Sequence, residues 1–100
     1  MRREGKRFRT THLEVRYVAS LLRRPRIGII VPRHKQSAVA RNLVKRRLRE
    51  LGRTVLLPAL SARASLDVVL RAVPEAYRAD HAALAVDIQR ILTRLEGASA

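Results

Sequence analysis

Along Ser37–Arg53, SAVARNLVKRRLRELGR, six polar side chains recur at helical spacing: Arg41, Asn42, Lys45, Arg46, Arg49 and Arg53. At roughly 100° per residue they fall within an arc of about 140° on one side of a helix. The chemistry such a face offers is recognition of a polyanion. Guanidinium forks donate two parallel hydrogen bonds to a phosphate, and an asparagine amide donates and accepts at once, which suits a backbone or base edge. Like charges at Arg41/Lys45, Lys45/Arg49 and Arg49/Arg53 repel by a few tenths of a kcal/mol each, and no acid interrupts the row before Glu50, so an anionic partner would relieve the strain. Ala40, Val44, Leu48, Leu51 and Val55 gather on the opposite side, the stripe by which a helix docks on a core.

No comparable constellation suits bond-breaking chemistry. His12, His34 and His81 are scattered and show neither metal-ligand spacing nor a partnering carboxylate. Asp67, Asp80 and Asp87 are not spaced as a two-metal nuclease site. The chain has no cysteine, which excludes disulfides and thiolate metal centres. No catalytic residue, metal ligand or protein-bound cofactor is expected.

The charge is divided unevenly. Of 22 Lys and Arg, 17 fall in residues 1–53 against three acids, whereas residues 54–100 are neutral overall, so the whole formal charge of +14 lies in the first half. A generic solubilising charge would not be confined in this way, and nucleic acid is the natural partner. The longest apolar run, Ile27–Val31, is far short of the roughly 20 residues that span a bilayer, and the basic N-terminus leads into no signal-type apolar stretch. The expected setting is the cytoplasm, with no membrane partner.

At 100 residues the chain allows one domain with a modest core. Residues 1–9, MRREGKRFR, are expected to be a basic arm, residues 10–96 the folded core and 97–100 a flexible tail. Leu13, Val15 and Tyr17 alternate with Glu14 and Arg16 as in a half-buried strand. Leu21–Pro25 reads as a basic turn, and RIGIIVP over Arg26–Pro32 as a strand buried on both faces. Arg33–Gln36 is a loop beside the long helix, where Arg33, His34 and Lys35 could join free backbone N–H groups in binding phosphate, and Ser37 is the expected N-cap. Gly52 lies near that helix's end, although Val55–Leu57 could extend it up to Pro58. Leu66–Ala72 is a further strand. Asp80–Leu95 reads as a terminal helix with Leu84, Ile88, Ile91, Leu92 and Leu95 at helical spacing and Asp80 or an adjacent residue as its cap. The order β-β-α-β-α predicts an α+β fold, a two-layer α/β sandwich with two helices on one sheet. Phe8 and Tyr17, two of only three aromatic residues, are candidates for stacking on an unpaired base, Tyr17 with the core as its stronger claim.

Val31–Glu50, VPRHKQSAVARNLVKRRLRE, resembles the signature of the protein subunit of bacterial ribonuclease P: a strand ending in a basic turn, then a helix carrying Ala38, Val39, Arg41, Asn42, Lys45, Arg46 and Arg49. Gly5–Tyr17, GKRFRTTHLEVRY, is similar to the family's approach to its first strand. The resemblance implies a fold like ribosomal protein S5 domain 2, with a left-handed β-α-β crossover. It also implies an accessory role in an endoribonuclease whose catalysis resides in its RNA. The partners would be ribonuclease P RNA and precursor tRNA, whose 5′ leader is removed with Mg²⁺ used by the RNA subunit. In that family the basic helix contacts the RNA and a sheet-side cleft holds the leader, for which Phe8 and Tyr17 are the candidates here.

The chain departs from the family at three places. Only MRRE precedes Gly5, where members usually carry a further aromatic-bearing helix; the expectation is a shortened N-terminus, hence a reduced leader cleft or a start assigned too late. Leu43 stands where many members have arginine, and Gln36 where glycine is frequent. The alternative function is a general RNA-binding or ribosome-associated structural protein. A DNA-binding helix-turn-helix would need a second helix directly before Ser37, where the β-branched RIGIIVP stands, so no DNA partner is expected.

Overall fold

The computed structural model describes residues 5–21, 24–61 and 66–99. Residues 1–4 of the expected arm, residues 22 and 23 of the expected turn and residue 100 of the expected tail lie outside the described residues. Strands β1 (Lys6–Arg9), β2 (Leu13–Ala19), β3 (Arg26–Ile30) and β4 (Leu66–Ala72) form one sheet in the order β1-β2-β4-β3. β2 pairs antiparallel with both β1 and β4, and β3 runs parallel to β4. Parallel neighbours need a crossover, and α1 (Ala38–Leu51) provides it. A π-helical stretch (Gly52–Leu56) and α2 (Leu57–Ser61) continue from α1; a 3-10 turn (Pro74–Arg78) leads from β4 to α3 (His81–Ser99).

Both long helices bury the stripes that their sequences predict. Val44, Leu48 and Leu51 of α1 meet Leu84, Ile88, Ile91 and Leu95 of α3 over Leu13, Val15, Val68, Leu70 and Ala72 of the sheet. The result is a two-layer α/β sandwich, helices on one sheet face and the other face open. Ser37 Oγ accepts from Ala40 N at 3.1 Å and Asp80 Oδ1 from Ala83 N at 2.8 Å, so both expected caps form.

Three expectations need correction and one open alternative is decided. Lys6–Arg9 belong to no arm; they are an edge strand, because pairing with β2 satisfies their backbone and Phe8, opposite Val15, supplies an apolar anchor on the helix side. β3 is not buried on both faces, since among the described residues the helices cover only one face of the sheet and Arg26, Gly28 and Ile30 are exposed on the other. Of the two ends the sequence allowed for the helix, the one near Gly52 is not taken: Gly52 keeps helical φ and ψ of −61° and −44°, and the chain stays helical through Val55–Leu57. Instead the turn widens, Leu57 N–H bonding to the Gly52 carbonyl five residues back, a geometry that accommodates Pro58 with its missing donor. Finally, α3 runs through Ser99 where a tail was expected from residue 97.

Candidate nucleic-acid interface

The α1 face begins at the loop before it. Gln36 N donates to the Arg33 carbonyl at 2.8 Å, closing a turn whose central residues, His34 and Lys35, have φ of 49° and 64°. Positive φ at both positions is the pattern of a mirror-image turn, unusual without glycine, and it is held by contacts to the next layer. His34 Nε2 lies 3.1 Å from the Ala72 carbonyl, an acceptor only, so this nitrogen carries a proton. The Tyr77 ring meets His34 edge-on at 6.1 Å, and its hydroxyl donates to the Pro32 carbonyl. His34 is therefore a half-buried anchor, whereas Arg33 and Lys35 are exposed beside the start of α1, whose first turn holds no acid.

Asn42, Arg46 and Arg49 are exposed and Lys45 half-buried, and with Val39 and Leu43 they line a shallow groove of about 530 Å³. No carboxylate lines it. Two of the six expected contacts are partly engaged by the protein itself. Arg41 Nε donates to the Val31 carbonyl at 2.7 Å, tying α1 to the end of β3, and Arg53, beyond α1, pairs with Glu50 at 2.9 Å. Arg47 is turned from this face and donates to the Ala79 carbonyl at 3.0 Å. Val39, 80% exposed, and Leu43 are apolar inclusions that give the groove surface for a sugar or base as well as for phosphate.

A second cationic surface is the open sheet face, where the resemblance implies a leader cleft but for which the sequence named no cation. Register puts Arg7 beside Arg16 and Val69, and Arg9 beside Glu14 and Arg71, over a concavity of about 620 Å³ that Ile30 also lines. The charges here are moderated: Arg71 lies 3.9 Å from Glu14 and Arg9 3.4 Å from Glu75. Arg26 makes a two-pronged contact with Asp67 at 2.9 and 2.7 Å, and that hydrogen bonding, followed by the carboxylate's charge, holds the guanidinium still more firmly protonated. Arg16 was legible from strand alternation; Arg7 and Arg9 were hidden by reading β1 as an arm, and Arg71 by its place in the neutral half.

Phe8 and Tyr17 do not face this surface. Both point to the helix side, with ring centroids 6.0 Å apart at 68°, and the Arg94 guanidinium lies 4.7 Å over the Phe8 ring. Neither is a free aromatic on the open face. His12, read from sequence as lacking a carboxylate partner, has one 75 residues away. Asp87 Oδ2 accepts from Thr10 Oγ1 at 2.8 Å and His12 N at 2.7 Å, and His12 Nδ1 lies 3.1 Å from it. Three contacts to one buried oxygen make a staple between the β1–β2 loop and α3. Among the described residues, no group of three or more His, Cys, Asp or Glu could hold a metal ion, and no helix is long and apolar enough to cross a membrane.

Comparison with known proteins bears on the family and the fold. The Ribonuclease P family model matches residues 1–96. A Streptomyces avermitilis ribonuclease P protein component is 48% identical over 77 residues, covering 75% of this chain and 58% of that protein. One from a Nocardioides species is 42% identical over 95 residues, covering 94% of this chain and 77% of the other. The chain thus spans under two thirds of the length of the Streptomyces relatives it matches. The solved structure of Staphylococcus aureus RNase P protein superimposes with a TM-score of 0.77 at 20% identity, over 92% of this chain and 82% of that one, a likeness of fold. The Thermotoga maritima RNase P protein gives a TM-score of 0.76 at 25% identity over 91% and 84%.

Proposed function

The chain belongs to the ribonuclease P protein family, and from that premise we propose that it is the protein subunit of a cytoplasmic ribonucleoprotein that removes the 5′ leader of precursor tRNA. The observation that carries this reading is the acid-free groove of Asn42, Lys45, Arg46 and Arg49 on a helix whose opposite face is fully committed to the core. Unpaired cations with fixed spacing on a rigid element favour a structured polyanion over diffuse counterions. In this reading the groove and the exposed Arg33 and Lys35 hold the catalytic RNA. The leader lies on the open sheet face, its phosphates on Arg7, Arg16 and Arg71 and its sugars and bases over Val69 and Ile30.

The described side chains do not fit the Mg²⁺ that such a reaction uses. Asp87, the one buried carboxylate among them, is filled by donors from Thr10 and His12, and the other acids are paired or scattered. The protein's part is then to bind and orient two RNAs, and the metal belongs with RNA phosphates. The test is cleavage of precursor tRNA by the cognate RNA at low Mg²⁺, with and without the protein. A large acceleration on adding protein is expected. Cleavage by RNA-free protein would overturn the assignment of the chemistry, and no acceleration would favour a general RNA-binding role.

A further inference from the structure

Residues 54–100 carry no net charge, yet folding concentrates part of their cationic content at one spot. Arg90 and Arg94 stand one turn apart on the exposed side of α3, against edge strand β1. With Phe8, Arg9, Thr10 and Thr11 they line a recess of about 380 Å³. Among the described residues no carboxylate lines it. Asp87, three residues before Arg90, is buried and taken up by Thr10 and His12, and Glu75 reaches only Arg9, at 3.4 Å on the rim. Among the described residues neither Arg90 nor Arg94 makes an ion pair, and at i, i+4 they repel each other.

The recess also contains a planar platform. Phe8 is pinned edge-on against Tyr17, and the Arg94 guanidinium lies over its ring at 4.7 Å. A guanidinium seated over an aromatic ring is held in place by it, and nucleobases stack on guanidinium planes and aromatic faces whatever their sequence. Arg90, one turn away, is placed for the phosphate of the same nucleotide, with the Thr11 hydroxyl beside it.

We propose that this recess is a further RNA contact that takes one unpaired nucleotide, its base on the outer face of Arg94 and its phosphate on Arg90. The proposal rests on the RNA-binding reading above. The recess is not part of the α1 groove: α1 packs against β3, the opposite edge of the sheet, and three strand spacings separate the edges by about 14 Å. It does adjoin the open sheet face, because Arg9 borders both surfaces. Single-stranded RNA on the sheet can therefore continue over the β1 edge into it.

The experiment is an NMR titration of the full chain with a single-stranded RNA decanucleotide, together with measured affinities. Shifts are expected at Thr10, Thr11, Arg90 and Arg94 as well as on the sheet. Arg90→Ala with Arg94→Ala, at exposed helix positions that alanine suits, should leave the melting temperature near the wild type and raise Kd about ten-fold. Arg94→Lys keeps the charge but not the plane and should raise Kd about three-fold, whereas an abasic ribose-phosphate of the same length should bind both forms alike. Shifts confined to α1 and the open sheet face, or an unchanged Kd in the double variant, would overturn the recess while leaving RNA binding in place. No shift anywhere would overturn both. A wild-type Kd for Arg94→Lys would overturn the stacked base.

Discussion

The α1 groove and the open sheet face are both lined with arginine, but they are built in opposite ways. The groove comes from one continuous segment, its cations face no acid, and its residues recur at a single period. The sheet face is assembled from strands far apart in sequence, and its cations alternate with Glu14 and Asp67 over an apolar floor of Val69 and Ile30. Attraction to a polyanion scales with the number of phosphates neutralised and dissipates with salt, so the groove is suited to grip. A surface whose cations have carboxylate neighbours and that offers more apolar area discriminates by contact instead. On the proposed function, affinity and selectivity would reside on different faces of one sheet-and-helix sandwich.

The most damaging way to test that separation is to remove the scaffold common to both. Leu48 is fully buried between α1 and the sheet, and Leu48→Ala should cost about 2–5 kcal/mol in denaturant unfolding. Both surfaces should weaken together. Asp87→Ala acts on one side. It strands the His12 N–H, worth about 1–3 kcal/mol when a buried partner is lost, leaves the Thr10 hydroxyl only the Leu13 carbonyl at 3.3 Å, and loosens the hairpin that carries Arg7 and Arg9. Hydrogen exchange should rise first at β1 and β2 and leave α1 protected. Equal loss of protection in α1 would show that the two faces are not mechanically separate.

How far the sequence revealed each face follows from the same difference. The groove was legible because one helical period sorts Asn42, Lys45, Arg46 and Arg49 away from Val44, Leu48 and Leu51, and no tertiary information is needed to see it. What period could not show was which of those cations the protein uses itself, since the Arg41 bond to the Val31 carbonyl depends on where β3 ends. The sheet face needed strand order and register, which are nonlocal. Lys6–Arg9 is too charged and short to signal a strand alone, and only its pairing with β2 brings Arg7 and Arg9 beside Arg16. The same nonlocality hid the His12–Asp87 contact and the placement of Phe8 under Arg94. The two-layer architecture was readable because burial of two amphipathic helices on one sheet has few solutions.

The groove's role as the electrostatic grip is tested by Arg46→Ala and Arg49→Ala. Both side chains are exposed and neither has an ion pair among the described residues, so each variant should fold with stability within about 0.5 kcal/mol of the wild type. Each should weaken binding of the catalytic RNA and reduce the slope of log K against log salt by about one. Destabilisation comparable to that of Leu48→Ala would mean that the buried and polar sides of α1 have been assigned the wrong way round.

The smallest effect, and the one that separates the surfaces most sharply, belongs to Arg16 and Arg71 on the sheet. They flank Val69 and Glu14 on the sheet face, off the α1 groove, and Arg71 is already drawn toward Glu14 at 3.9 Å, an exposed pair worth about 0–1 kcal/mol, so removing either cation leaves every groove contact in place. Arg16→Ala or Arg71→Ala should therefore leave affinity for the catalytic RNA and its salt slope nearly unchanged. If the leader lies on this face, the same variants lose a phosphate contact that mature tRNA never makes. The ratio of precursor to mature tRNA affinity should then fall by a few-fold, about what one exposed contact supplies. Measuring both affinities with the assembled ribonucleoprotein decides the matter. A fall in catalytic-RNA binding with an unchanged ratio would make the sheet face a second grip, and the division between gripping and discriminating surfaces would be lost.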